Sequence, residues 1–152
     1  CQLVILGTGD PEYQELLKEL KEKFPNKLGL ELAFDDKSAS LIYAGSDMFL
    51  MPSKYEPCGL GQLIAFKYGA IPIVRETGGL ADTVNSERGF SFKEYTGKAM
   101  LSKIIEALEL FKDKSAWHKM QKNNISLDFS WNNSAKKYIG LYVKACKKVI
   151  YS

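Results

Sequence analysis

The sequence is poor in the residues that most often announce a chemistry. It has one histidine, His118, and three cysteines, Cys1, Cys58 and Cys146, in 152 residues. Three scattered cysteines exclude a disulfide framework and give no metal-ligand spacing, and they suit a reducing compartment. A histidine-based dyad would have to use His118, whose place beside Trp117 in a helical stretch reads as a surface or half-buried structural role. No apolar run is long enough to span a bilayer, and no signal peptide is legible. Charge of one sign is lacking too. The net +3 comes from 21 basic against 18 acidic side chains that alternate along most of the chain. A nucleic-acid binder would carry a concentrated basic stripe. Neither a nucleic acid nor a membrane is therefore expected as a partner, and the cytosol, or a plastid, is the expected location. There is no initiator methionine, and the chain opens in what reads as a strand, so a piece of a longer protein is expected.

What is present is the composition of a globular domain, 45% hydrophobic and 26% charged, with enough length for a core. Short apolar runs alternate with amphipathic helices. Leu3 to Leu6 reads as a buried strand closed by Gly7-Thr8-Gly9-Asp10-Pro11. Tyr13, Leu16, Leu17, Leu20 and Phe24 recur at helical spacing before Pro25-Asn26. Strands are expected at Leu28 to Phe34, Asp47 to Met51, Ile71 to Val74 and Gly89 to Phe92, with helices at Ser38 to Ala44 and Gly59 to Tyr68, the latter ended by Gly69. Pro72 implies a strand start or a locally unpaired N–H. The last third reads as three helices: one carrying Leu101, Ile104, Ile105, Leu108 and Phe111, one over Ser115 to Ile125, and one over Trp131 to Ile150. The last has Ala135, Ile139, Tyr142, Val143, Cys146 and Ile150 on one side and Lys136, Lys137, Lys144, Lys147 and Lys148 on the other. It is expected to pack on its own domain, although such helices also bind membranes or partner grooves.

This alternation predicts an α/β fold, a Rossmann-like parallel sheet flanked by helices with a helical C-terminal segment. Right-handed crossovers gather the loops after the strands on one rim. The loops after the first, third and fourth strands are rich in Gly, Pro and polar residues. The segment Pro52-Ser53-Lys54-Tyr55-Glu56-Pro57-Cys58-Gly59-Leu60-Gly61-Gln62-Leu63 lies between a strand and a helix. Gly59 and Gly61 are expected to open that helix and leave backbone N–H groups free for an anion or a hydroxyl. Glu56 beside them is a carboxylate able to accept hydrogen bonds from vicinal sugar hydroxyls. Thr77-Gly78-Gly79 follows the next strand and offers further unhindered N–H groups. Each glycine pair taken alone is equally compatible with a plain tight turn.

Taken together, Pro52-Ser53-x-x-Glu56-Pro57-Cys58-Gly59-Leu60 with Gln62-Leu63, Tyr68-Gly69-x-x-Pro72-x-Val74-Arg75, and Thr77-Gly78-Gly79-Leu80-x-Asp82-Thr83-Val84 closely resemble the bacterial-type glycogen/starch synthases, retaining glycosyltransferases of GT-B fold. The likeness extends to Gln2 to Gly9, Tyr43 to Asp47 and Phe129-Ser130-Trp131, so it covers nearly the whole chain. It implies transfer of glucose from ADP-glucose to an α-1,4-glucan, glycogen or starch, without metal or other cofactor. It implies that Glu56 is the catalytic-site glutamate that binds donor hydroxyls, and that Cys58, Gly59, Leu60, Gly61, Thr77, Gly78 and Gly79 line the donor pocket. Phe34 stands where the family often stacks a tyrosine on adenine; a partly buried strand-end aromatic is an equally open reading. Tyr43 and Tyr95 are read as core or surface aromatics. Ile64 stands where the wider GT-B group often has a second glutamate, an apolar replacement that the synthases share, and Gly61 replaces a threonine frequent in the synthases. The resemblance also implies that residues 1–152 form a donor-binding domain without its first βα unit, whose Arg and Lys bind phosphate, and without the N-terminal acceptor domain. Such a piece alone is expected to be inactive. The strands starting near Leu3 and Asp47 are then expected to pair directly, giving the order second, first, third, fourth, fifth. Two alternatives remain beside the synthase: a nucleotide-binding module without transferase role, and a GT-B enzyme with another acceptor.

Overall fold

The computed structural model describes residues 1–150, and side chains for residues 1–147. The chain divides into two compact units, Cys1–Asp47 and Met48–Ser152.

The first unit holds β1 (Leu3–Leu6), α1 (Pro11–Lys23), β2 (Leu28–Glu31) and α2 (Asp36–Gly45). β1 and β2 are parallel, with Leu3 opposite Leu28 and Leu6 opposite Glu31. α1 starts where Asp10 accepts from the Glu12 N–H at 3.0 Å and Pro11 presets the first turn. Lys21 and Lys23 sit in its last turn, complementing the helix dipole. β2 is shorter than the expected Leu28–Phe34, because the chain leaves the ladder before Phe34 to reach the α2 cap at Asp35. β1 is not the buried strand its apolar run suggests. Leu3 and Val4 are exposed, as are Tyr13 and Leu16 on the α1 stripe, and Leu28 is the one fully buried apolar side chain of the unit.

The second unit holds β3 (Met48–Met51), α3 (Gly61–Tyr68), β4 (Ile71–Arg75), α4 (Gly78–Thr83), β5 (Phe90–Phe92), α5 (Gly97–Lys112), α6 (Lys114–Ser126) and α7 (Trp131–Ile150). Its sheet is parallel, in the order β3-β4-β5, with Met51 opposite Val74 and Val74 opposite Ser91. Side chains alternate across a strand, so β4 feeds two cores. Ile71 and Ile73 pack with Phe90, Ala107 of α5 and Trp117 of α6. Val74 packs with Phe66 of α3 and Leu80 and Val84 around α4. Helices thus cover both faces, as a near-continuous apolar strand requires. Pro72 is tolerated because β5 begins pairing only at Ile73.

Three expectations change. The order second, first, third, fourth, fifth does not form: β1 pairs with β2, β3 pairs with β4, and no β1–β3 ladder exists among the described residues. An apolar strand pattern says that a strand is buried, not which edge it joins. The helix after β3 begins at Gly61 rather than Gly59, since Gly59 takes the left-handed φ of 76° and cannot continue a right-handed turn. Finally, the described part of α7 does not pack on its unit. Trp131, Tyr138, Ile139 and Tyr142 are all exposed, and periodicity names an apolar face without naming its cover. The Lys148 and Ile150 side chains, assigned above to its two faces, lie outside the described residues. Among the described residues no helix is long and apolar enough to cross a membrane.

Candidate functional site: two glycine-bearing loops on one rim

β3 and β4 are parallel neighbours, so their carboxyl ends deliver residues 52–60 and 76–77 to the same rim. The two segments interlock there. The Gly79 N–H donates to the Glu56 carbonyl at 3.0 Å. A Cβ built on Gly78 would fall on the Glu56 carbonyl oxygen, and one on Gly79 would fall on the Cys58 carbonyl oxygen. Only a residue without Cβ permits backbone to lie this close to backbone. Gly78 also takes the left-handed φ of 45°.

This contact revises the reading of unhindered donors for Gly79 alone, because Gly78 is exposed and its N–H makes no hydrogen bond among the described residues. The Gly79 N–H is engaged with Glu56, Gly79 is buried, and the glycines serve to bring one loop onto the other. Further donors without cap partners lie at the start of α3. Leu60 is the N-cap and makes no side-chain cap bond, so the first-turn N–H groups lack intrahelical partners. Leu60 is exposed, Gly61 is half-buried and Gly59 is buried.

Glu56 is half-buried, and its carboxylate forms no hydrogen bond or ion pair among the described residues. Its backbone is held while its side-chain oxygens stay available to a polyhydroxyl ligand. Cys58 is an exposed free thiol. Thr77 is half-buried and is the N-cap of α4. The structure thus brings Glu56, Cys58, Gly59, Leu60, Gly61, Thr77, Gly78 and Gly79 together in the second unit. Phe34 belongs to the first unit, where its ring is 89% exposed immediately before the Asp35 cap of α2. A strand-end aromatic partly buried in a core is therefore excluded for Phe34. Its ring faces are open for stacking.

Sequence reasoning missed three residues that shape the site. Arg75, at the end of β4, donates from Nη1 to the Lys54 carbonyl at 2.5 Å and the Ser53 carbonyl at 3.4 Å, and from Nε to the Lys93 carbonyl at 3.2 Å. Its guanidinium lies 5.3 Å from the centre of the Tyr95 ring. It thus clamps the start of the Glu56 loop to the segment after β5. Gln62 is fully buried and its Nε2 donates to the Gly59 carbonyl at 2.8 Å and to Thr83 Oγ1 at 3.1 Å. Thr83 Oγ1 in turn donates to the Gly79 carbonyl at 2.8 Å. The signal available in the sequence was a lone amide within the apolar run Leu63-Ile64-Ala65-Phe66 that follows it.

Two shallow depressions lie elsewhere on this unit. One of about 440 Å³ is lined by Ser115, His118, Lys119, Lys122 and Asn123, and one of about 320 Å³ has Glu76, Lys93 and Lys103 in its wall. Neither includes Glu56. The chemistry of the rim, not its depth, marks it as the candidate site.

Residues 1–125 match the family model described as glycosyl transferases group 1. A glycogen synthase of Koribacter versatilis is 50% identical over 149 residues, 93% of this chain and 31% of that protein. A glycogen synthase of Geotalea daltonii is 53% identical over 148 residues, again 93% of this chain and 31% of the relative. Among solved structures, the catalytic domain of starch synthase IV from Arabidopsis thaliana, bound to ADP and acarbose, superposes with a TM-score of 0.82 at 34% identity, covering 94% of this chain and 32% of that one. A sucrose-phosphate synthase from Thermosynechococcus elongatus, with a TM-score of 0.68 at 22% identity over 97% of this chain and 39% of that one, shares the fold. The chain spans about a third of the length of these glycogen synthases.

Proposed function

The chain belongs to the glycosyl transferases group 1 family, and we propose from that premise that it is the donor-binding part of a glycogen/starch synthase. In this reading the bond between glucose C1 and the diphosphate of ADP-glucose breaks, and C1 joins the 4-hydroxyl at the non-reducing end of an α-1,4-glucan. The anomeric configuration is retained, ADP leaves, and the hydroxyl gives up its proton. Glu56 accepts hydrogen bonds from the donor sugar, and backbone N–H groups of Cys58, Gly59, Leu60 and Gly61 meet charge on the sugar or the departing phosphate. Thr77, Gly78 and Gly79 complete the wall, with Gly79 acting through its contact to Glu56. Phe34, in the first unit, keeps its ring faces open, as stacking on a base requires.

The observation that carries the reading is the locked pair of loops that holds an unpaired Glu56 carboxylate beside open N–H groups. A simple nucleotide module has no use for that carboxylate. Identities near 50% to glycogen synthases support the glucan over other acceptors, and so does the apolar Ile64.

Thermal shift measurements with ADP-glucose, UDP-glucose, ADP and AMP test the donor. ADP-glucose is expected to stabilise the chain more than ADP does, and Glu56→Ala is expected to erase that difference. An undiminished sugar-dependent shift in Glu56→Ala would remove Glu56 from its role, and a larger response to UDP-glucose would change the donor. A chelator is expected to leave the shift intact, in keeping with metal-free transfer. With ADP-glucose and maltoheptaose the 152-residue chain is expected to extend no glucan; extension would overturn the view that it holds only part of the catalytic site.

A further inference from the structure

We propose that Gln62 is a positioning residue, which holds the Glu56 loop against the Thr77–Gly79 turn in the geometry that grips the donor sugar. The inference rests on the donor-binding reading and deepens it.

Gln62 is the second residue of α3, and its side chain is fully buried. It turns back to the loop that precedes its helix. Nε2 donates to the Gly59 carbonyl at 2.8 Å and to Thr83 Oγ1 at 3.1 Å, with a longer approach to the Cys58 carbonyl at 3.4 Å. An amide nitrogen has two hydrogens and an amide oxygen has none, so two facing carbonyls fix which end of the amide points at the loop. Thr83 spends its one hydroxyl hydrogen on the Gly79 carbonyl at 2.8 Å and accepts from Gln62. The Gly79 N–H then donates to the Glu56 carbonyl at 3.0 Å. The circuit runs from Gly59 through Gln62, Thr83 and Gly79 to Glu56, and every donor in it meets an acceptor.

Packing alone does not explain an amide here. Gln62 Oε1 has no partner among the described residues, and an unpaired buried acceptor opposes folding. Methionine would fill the same space without that penalty. What the amide adds is a tether on the segment between Glu56 and α3. The chain there reverses at Gly59, with a φ of 76°, so no helical ladder holds it. Catalytic binding is sensitive to small displacements of the gripping group, and the circuit ends on the backbone of the residue that grips.

The test is the ratio of ADP to ADP-glucose dissociation constants, measured by calorimetry on the 152-residue chain. Gln62→Met is expected to reduce the preference for ADP-glucose by about threefold to tenfold, the range of one or two buried hydrogen bonds, while ADP affinity holds. Thr83→Val is expected to lose part of the preference and Thr83→Ser, which restores the hydroxyl, to recover it. If Gln62→Met lowers Tm but leaves the ratio unchanged, Gln62 is structural and the inference is overturned. If Gln62→Met does not fold, the Val and Ser variants at Thr83 decide by the same ratio. A native chain that shows no preference for ADP-glucose refutes the donor-binding reading itself, and this inference falls with it.

Discussion

At the scale of single residues, the site is defined by what glycine permits and what glutamate is left free to do. Glu56 was legible because a carboxylate beside Gly-Leu-Gly, after a strand and before a helix, has few structural duties. Gly78 and Gly79 were legible as glycines but not in their duty. Their neighbours in space are Glu56 and Cys58, some twenty positions earlier in the chain, and no local pattern encodes that approach. Gly79→Ala therefore sets a methyl group on the Cys58 carbonyl. It is expected to destabilise the chain by about 1–3 kcal/mol, the cost of forcing a packed region apart, and to weaken ADP-glucose binding more than ADP binding. Urea unfolding and calorimetry read the two effects separately. An Ala variant of native stability would mean that the two loops are not locked. Gln62 and Arg75 escaped notice for a related reason. The acceptors of Arg75 and the nearer acceptor of Gln62 are backbone carbonyls, and any sequence supplies those.

At the scale of elements, helix ends were legible in type and shifted by a residue or two in position. Asp10, Asp35, Thr96 and Asp113 all act as N-caps and accept backbone N–H groups, from Glu12, Ser38, Ala99 and the Ser115–Ala116 pair. Asp35 is informative because it joins Phe34 to α2. Its carboxyl lies below the ordinary carboxylate value, chiefly through hydrogen bonding with the side chain and backbone of Ser38. A folded-state value below the unfolded one means that its support for α2 is complete above the unfolded value, about 3.9. That support is lost as pH falls through the lower, folded value. Amide exchange at Ser38 and Ala39 is expected to quicken across that acid window in the native chain. In Asp35→Ala the same amides are expected to be fast already at neutral pH and to show no such step. A step that survives in Asp35→Ala would assign it to another group. The start of α3 shows the limit of element-level reading. Gly59 and Gly61 look alike in the sequence, yet Gly59 is the reversal point and Gly61 the first helical residue.

At the scale of the molecule, the parallel α/β class was legible from the alternation of apolar runs and amphipathic helices, whereas the distribution of burial was not. The second unit concentrates its core on both faces of β4, where Trp117 meets Phe111 edge-on with ring centres 5.0 Å apart. Trp117→Ala is expected to cost about 3–5 kcal/mol, read from the urea midpoint. Tyr142→Ala, on the exposed face of α7, is expected to cost little, within about 0.5 kcal/mol. A large loss from Tyr142→Ala would show that this face is covered in solution. The sequence by itself determined the local facts: which runs are strands, which are the longer helices, and which loop carries a carboxylate among glycines. These follow from side-chain period and backbone preference, which act over a few residues. Only the tertiary structure decided that β1 pairs with β2 and β3 with β4 in separate sheets, that the described part of α7 leaves its apolar side chains exposed, and that Gly79 bonds to Glu56 rather than presenting a free N–H. Those outcomes depend on which edges and faces meet across long stretches of chain, and a hydrophobic pattern is the same whichever partner it meets.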